Sequence, residues 1–262
     1  MQLGCCVPIE KYELAAALGY DYAELPAWEV QLLEPRQLEA LLERMEKTRL
    51  PVPRLNAYCG GVPAIVGEGV NDESTRAYAR GLMKKAAALG VATIGIGAPS
   101  ARVLPSGFDP HEADRQCERF LRITAEEAAP YHITLLLESI HSGACSYINR
   151  LSQAADMVRR VNLPQVRLMA DLYHMDVQGE PFALLAPYAQ DIRHVHVSTA
   201  GEGLARGLYG AKDAAACAEA FRAIRSIGYD GTVSIEPDAS ALSEESMKTA
   251  LEIMRRSCRQ TG

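Results

Sequence analysis

Short apolar runs alternate with longer amphipathic ones from one end of the chain to the other. Strand-like runs fall at roughly 2–6, 20–25, 52–57, 91–97, 132–138, 165–171, 191–197 and 231–236. Between them lie helical patterns at about 9–18, 35–48, 73–89, 110–129, 149–160, 211–227 and 242–258, with a weaker one at 181–188. Leu41, Leu42 and Met45 illustrate the helical spacing, as do Ala220, Phe221, Ile224 and Ile227. The runs VATIGIG and ITLLLE are almost unbroken in apolar residues, the pattern of a strand covered on both faces in a parallel sheet. Gly90 and Gly228 stand just past helical runs, where a left-handed residue ends a helix. Eight βα units with no low-complexity linker predict one α/β domain over 1–262, a (β/α)8 TIM barrel. A doubly wound open sheet is the competing arrangement. It calls for G-x-G-x-x-G after the first strand, where this chain reads CCVPIEKYE; the G-x-G at Gly95–Gly97 lacks the third glycine and reads as room for backbone or substrate at a barrel mouth.

Four of the strand-like runs end on a group able to bind a cation. LLLE stops at Glu138, RLMAD at Asp171, HVHV carries His196, and VSIE stops at Glu236. Strand C-termini meet at one mouth of a barrel, so these four side chains are expected to converge. A buried carboxylate without a partner is unfavourable, and one shared ion removes that penalty for all of them. Three carboxylates and one imidazole form an oxygen-rich set suited to one divalent ion, Mn²⁺ first, with Mg²⁺, Co²⁺ and Zn²⁺ also admissible. No cysteine belongs to the set, which argues against a structural zinc site.

Each residue also has a plainer reading. Glu138 could pair with an arginine, Asp171 could cap the turn that follows it, and Glu236 could be a loop carboxylate ahead of Pro237. His194 and His196 share a strand face, and the later one lies nearer the mouth, which leaves His194 a structural role. Five further residues are expected at the mouth, against substrate. These are His174 in D-L-Y-H, His141 in ESIHSG, Arg206 in STAGEGLARGLYG, Glu24 in YAELP and Asn56 in RLNAY. Their alternatives are a solvated loop histidine, a surface arginine and local pairing.

Composition narrows the class. The formal net charge is -6 with no lysine- or arginine-rich block, which argues against a nucleic-acid partner and suits a small-molecule enzyme. The first residues lack the basic start and apolar stretch of a signal peptide, and no segment approaches membrane-spanning length. The 7 cysteines are scattered, with no C-x-x-C, and adjacent Cys5 and Cys6 point to opposite strand faces. They read as reduced thiols packing as small apolar residues in a cytoplasmic protein. A homo-oligomer is compatible with all of this.

LGYDYAEL, LLLES, D-L-Y-H, H-V-H-V and IGYDGTVSIEP occur in an order that resembles the xylose-isomerase-like TIM-barrel superfamily of sugar isomerases and epimerases. Within it the chain is most similar to the D-tagatose 3-epimerase and hydroxypyruvate isomerase-like group, along essentially its whole length. The resemblance implies that Glu138, Asp171, His196 and Glu236 bind the metal and that Glu138 and Glu236 double as acid and base. It also implies that His174 contacts a carbohydrate substrate. Two positions depart from the group. Ala144 stands where its ketose epimerases carry a further glutamate, and the arginine that follows the metal histidine is displaced, with Arg206 the nearest counterpart.

The chemistry expected of such a set is proton transfer through an enediolate that the ion stabilises, giving isomerisation or epimerisation of a sugar or sugar phosphate. The alternative is a lyase or dehydratase acting on an oxidised sugar or glycoside by the same enolate. A DNA-repair endonuclease on this barrel needs metal histidines from early strands, whereas all six histidines here lie at or after position 111. A non-catalytic sugar-binding barrel would not need paired carboxylates at the ion, and a two-carboxylate glycosidase would not need the ion.

Overall fold

The alternation closes on itself. The computed structural model describes residues 1–259. The strands run β1 (Gln2–Cys6), β2 (Tyr22–Pro26), β3 (Arg54–Asn56), β4 (Thr93–Ile96), β5 (Thr134–Leu137), β6 (Val166–Asp171) and β7 (Ile192–Val197). After β7 come the short β8 (Thr199–Ala200) and β9 (Arg206–Gly207), then β10 (Thr232–Ile235). Eight of them form a closed parallel barrel in chain order, with β10 sealing it between β7 and β1, while β8 and β9 form a separate antiparallel hairpin. This is the (β/α)8 barrel that the pattern predicts.

Strand composition explains the closure. Leu135, Leu136 and Leu137 of β5 are all buried, because helices cover one face and the barrel interior covers the other. The helices are α1 (Tyr12–Leu18), α2 (Ala27–Leu32), α3 (Pro35–Thr48), α4 (Asp72–Ala88), α5 (Pro110–Ala128), α6 (Leu151–Val161), α7 (Leu172–Gln178), α8 (Ala214–Ser226) and α9 (Glu244–Arg259). Leu82 and Met83 of α4, Phe120 and Leu121 of α5, and Phe221 and Ile224 of α8 carry their apolar faces into the core. Side-chain caps set several starts: Asn71 accepts from the Ser74 amide at 2.8 Å, and Asp109 from that of His111 at 2.9 Å. Inside the barrel, Gly4 makes room for the ring of Tyr22, since a Cβ there would lie 2.2 Å from the ring.

The structure differs from the pattern in three places. The third strand is only Arg54–Asn56, because Pro51 and Pro53 have no N–H to offer a ladder. The run at 181–188 is a 3₁₀ helix (Phe182–Tyr188) with Pro187 inside it. The short helices α2 and α7 were not predicted; at six and seven residues they are shorter than the window a helical period needs. All seven cysteines are free thiols, six of them buried, as their spacing suggests. No helix among the described residues is long and apolar enough to cross a membrane.

Candidate metal centre and active site

Glu138 follows β5 directly, Asp171 ends β6, His196 lies in β7, and Glu236 follows β10. Parallel strands ending at one mouth bring the four together, each offering one ligand atom and all four atoms within 4.8 Å of one another. His196 Nδ1 lies 3.1 Å from Glu236 Oε2 and 3.8 Å from Asp171 Oδ2. The other oxygen of Asp171 caps α7, accepting from the amides of Tyr173 at 2.8 Å and His174 at 3.2 Å. The helix therefore orients one oxygen of the carboxylate and turns the second toward the cluster.

Burial is the largest single influence on each of the four groups, and neighbouring charges decide the direction at three of them. It pushes the Glu138 carboxyl well above the ordinary range, and the charges of Asp171 and Glu236 push the same way. At Asp171 burial also favours the neutral form, but Arg206, His174 and His196 outweigh it and hold the carboxyl below its usual range. Burial is likewise overcome at Glu236, which Arg206 and His196 hold down at about 2. His196 is carried well above the ordinary histidine value, because Glu236 and Glu24 together outweigh its burial. Glu138 Oε1 is buried with no hydrogen-bond partner. An orphaned carboxylate oxygen in a ring of three carboxylates and one imidazole fits a hard divalent cation.

A second layer lies beneath. His196 Nε2 meets Glu24 Oε1 at 3.1 Å, so its N–H is directed to Glu24 and Nδ1 is left toward the cluster. The other oxygen of Glu24 takes His194 Nε2 at 2.9 Å and accepts from Ser234 Oγ at 2.6 Å. His194 Nδ1 reaches Thr232 Oγ1 at 2.9 Å, and Tyr22 links on through Ser234 at 2.8 Å. Glu24 was expected to touch substrate. Instead it is 1 % exposed and does not line the cavity, because it points into the barrel below the ligand ring. His194 has the structural place that its strand position suggests.

Above the ring opens a cavity of about 550 Å³ whose walls include Asn56, Glu138, His141, Ala144, His174, Arg206 and Glu236. Asn56 donates through Nδ2 to Glu236 Oε1. Arg206, on β9, donates through Nη2 to Asp171 Oδ2 at 2.6 Å and pairs with Glu236 Oε2 at 2.7 Å. Its Nε donates to the Glu236 carbonyl at 2.9 Å, its Nη1 to His174 Nε2 at 3.1 Å, and its guanidinium lies over the Tyr173 ring. His174 is pushed down to about 4 by burial, so it is neutral at physiological pH. His141 stands beside it, with ring centroids 5.2 Å apart.

A family model described as the xylose isomerase-like TIM barrel matches residues 12–257. The chain belongs to that family. A ketose 3-epimerase of Arthrobacter globiformis is 26% identical over 132 residues, a stretch covering 50% of this chain and 44% of that relative. The match therefore spans less than half the length of the curated relative. The crystal structure of D-psicose 3-epimerase in the presence of D-fructose is similar with a TM-score of 0.81 and 18% identity, covering 99% of this chain and 100% of that one. The apo form of 3-keto-D-glucoside 4-epimerase, YcjR, from E. coli is similar with a TM-score of 0.78 and 20% identity, covering 98% and 99%.

Within this xylose isomerase-like barrel, sequence reading missed one residue that shapes the site. Arg102 is fully buried and donates to the carbonyls of Ile96 at 2.9 Å, Gly97 at 2.8 Å and Glu138 at 2.8 Å, tying the end of β4 to that of β5. Gly97 makes the room at the barrel mouth that the G-x-G suggests: a Cβ there would lie 2.6 Å from Glu138 Oε2. The G-x-G at the end of the fourth strand was the available signal for Gly97. Nothing local to Arg102 marks it.

Proposed function

We propose that the protein is a divalent-metal-dependent sugar isomerase or epimerase working by proton transfer. The observation that carries this reading is geometric: two carboxylates, Glu138 and Glu236, converge with Asp171 and His196 in one ligand ring and both line the cavity above it. Two carboxylates held beside one ion can serve as acid and base. An ion held by Glu138, Asp171, His196 and Glu236 would supply Lewis acidity to the carbonyl and neighbouring hydroxyl oxygens of the sugar. Mn²⁺ is the first candidate, with Mg²⁺, Co²⁺ and Zn²⁺ the others.

Glu236 takes the proton from the hydroxyl-bearing carbon beside the carbonyl, and Glu138 returns one. Return to the same carbon from the opposite face gives an epimer; return to the neighbouring carbon interconverts aldose and ketose. Arg206 and Asn56 keep Glu236 ionised and aligned, while His174 and His141 hold substrate oxygens. The similar proteins, a ketose 3-epimerase, a D-psicose 3-epimerase and a 3-keto-D-glucoside 4-epimerase, are all named for a carbon that epimerises beside a carbonyl. Ala144 on the cavity wall favours a second reading, elimination from an oxidised sugar or glycoside. Without a glutamate there, a leaving group has space beside the ring. A cytoplasmic carbohydrate enzyme, possessing neither a nucleic-acid nor a membrane partner and free to assemble with copies of itself, is the setting we assign.

Metal analysis of the purified protein, followed by a screen of ketoses, aldoses and inososes in D₂O by NMR, tests this proposal. Solvent deuterium should enter the carbon beside the carbonyl of at least one substrate, and chelation should abolish it. Exchange that persists after full chelation would refute metal dependence.

A further inference from the structure

A second cavity, of about 250 Å³, opens between α7, α8 and the stretch that runs from the end of β7 into β8. It shares no lining residue with the cavity above the ligand ring. Asp176 of α7, Asp213 just ahead of α8 and Glu219 of α8 line it, and no lysine, arginine or histidine does. The Gly210 amide donates to Asp213 Oδ2 at 2.9 Å and orients that carboxylate. Like charges around one concavity repel one another, and a cation among them removes the repulsion.

Acidic side chains alone would describe a solvated surface. Ser198 adds an observation of another kind. It lines the cavity, is 9% exposed, and its Oγ is buried with no hydrogen-bond partner. A buried hydroxyl left unpaired is destabilising, and a donor on a bound ligand relieves it. Tyr209 also lines the cavity at 4% exposure; burial above all, helped by the charges of Asp213 and Asp176, keeps its phenol protonated.

Spacing and lining decide which cation fits. Among the described residues, the sets of ligating side chains close enough to share one ion lie elsewhere, at Glu138, Asp171, His196 and Glu236 and at Cys6, Glu24 and His196. The carboxylates of the second cavity are too far apart to hold a bare metal ion between them. Leu172, Phe182 and Ala216 give it an apolar wall, which suits an alkyl chain and not a hydrated metal. At about 250 Å³ it falls below the roughly 300–1,000 Å³ of sites for drug-sized ligands, so its occupant is small.

We propose that this cavity binds a small primary ammonium ion. Its N–H groups donate to Ser198 Oγ and to the carboxylates of Asp176 and Asp213, and its alkyl chain lies on Leu172 and Phe182. The proposal stands apart from the proton-transfer reading. The site nonetheless joins the active site through the chain, since Leu172 and Asp176 share α7 with His174, and Ala200 pairs with Arg206 across the β8–β9 hairpin.

The test uses protein loaded with one equivalent of Mn²⁺, at about 0.15 M ionic strength to screen diffuse surface attraction. Calorimetry measures n-butylammonium, n-butanol and n-butyltrimethylammonium. The first should bind at least tenfold more tightly than either of the others, because the alcohol lacks the charge and the quaternary ion lacks N–H donors. Ala216→Phe, at an exposed helix position that keeps the fold, fills the cavity and should weaken n-butylammonium at least tenfold. Ser198→Ala should weaken it at least fivefold, yet melt no lower than wild type without the amine, because the hydroxyl it removes has no partner in the protein. Equal affinity for the alcohol or the quaternary ion, wild-type affinity in either variant, or no saturable binding of n-butylammonium overturns the proposal. A lower melting temperature for Ser198→Ala also overturns it, by giving that hydroxyl a structural role. So does displacement of n-butylammonium by equimolar Mg²⁺, which would assign the carboxylates to a hydrated divalent ion.

Discussion

His196 faces Asp171 and Glu236 through Nδ1 because its Nε2–H is held by Glu24, and Glu24 is itself held by His194 and Ser234. A carboxylate behind a ligating histidine fixes its tautomer and ring angle. Glu24→Gln replaces an acceptor of three bonds with a group that offers one acceptor and two donors. Metal affinity, measured by competition with a chromophoric chelator, should fall by about 10–100-fold while the barrel stays folded. Wild-type affinity in that variant would show that His196 needs no such support. His194 supplies a pH prediction of its own. Burial, against the pull of Glu24, pushes it down to about 4, whereas in the unfolded chain it titrates near the ordinary value of 6.5. Its neutral form is therefore a stabilising feature above pH 6.5, lost as pH falls from there through 4, because the unfolded state takes up the proton first. Thermal melts of metal-loaded protein should show a slope in that window that His194→Asn flattens; an unchanged slope would place the acid sensitivity elsewhere.

At the level of elements, the site depends on two strand ends being held in step. Arg102 does this for β4 and β5 with donors to three carbonyls, one of them that of Glu138. Arg102→Met keeps the bulk and leaves those carbonyls buried without donors, which should destabilise the protein by at least about 2 kcal/mol in urea melts. A change within ~0.5 kcal/mol would make Arg102 a bystander. Elements differ in how far the chain announces them. ITLLLE and RLMAD declare both a buried strand and its terminal carboxylate, because apolar continuity and an abrupt polar stop are local signals. Helix α7 is announced only by the capping reading of Asp171, a carboxylate that caps its first turn and also faces the cluster. Arg102 is silent, its Glu138 partner lying 36 positions away. Glu24 was legible as a strand-end carboxylate; its depth was not, because the stagger of the closed barrel decides which strand-end residues sit in the ring and which sit beneath it.

Across the whole molecule, one mouth of a closed barrel collects carboxylates that no single element could hold together. Three of them face His196 and Arg206 at the floor of a cavity about 550 Å³ in volume, in a chain of net charge -6. The family and the barrel are established; the account of function rests on the claim that Glu236 moves a substrate proton within that ring. Solvent-deuterium incorporation measures this directly. It compares wild-type and Glu236→Gln proteins at matched, measured metal occupancy, on whichever sugar the screen identifies. The amide keeps an oxygen for the ion and removes the base. Exchange beside the carbonyl should therefore fall at least about 10²-fold in the variant while the metal is retained. Wild-type exchange by metal-loaded Glu236→Gln would contradict the account, because the proton would then be handled by another group.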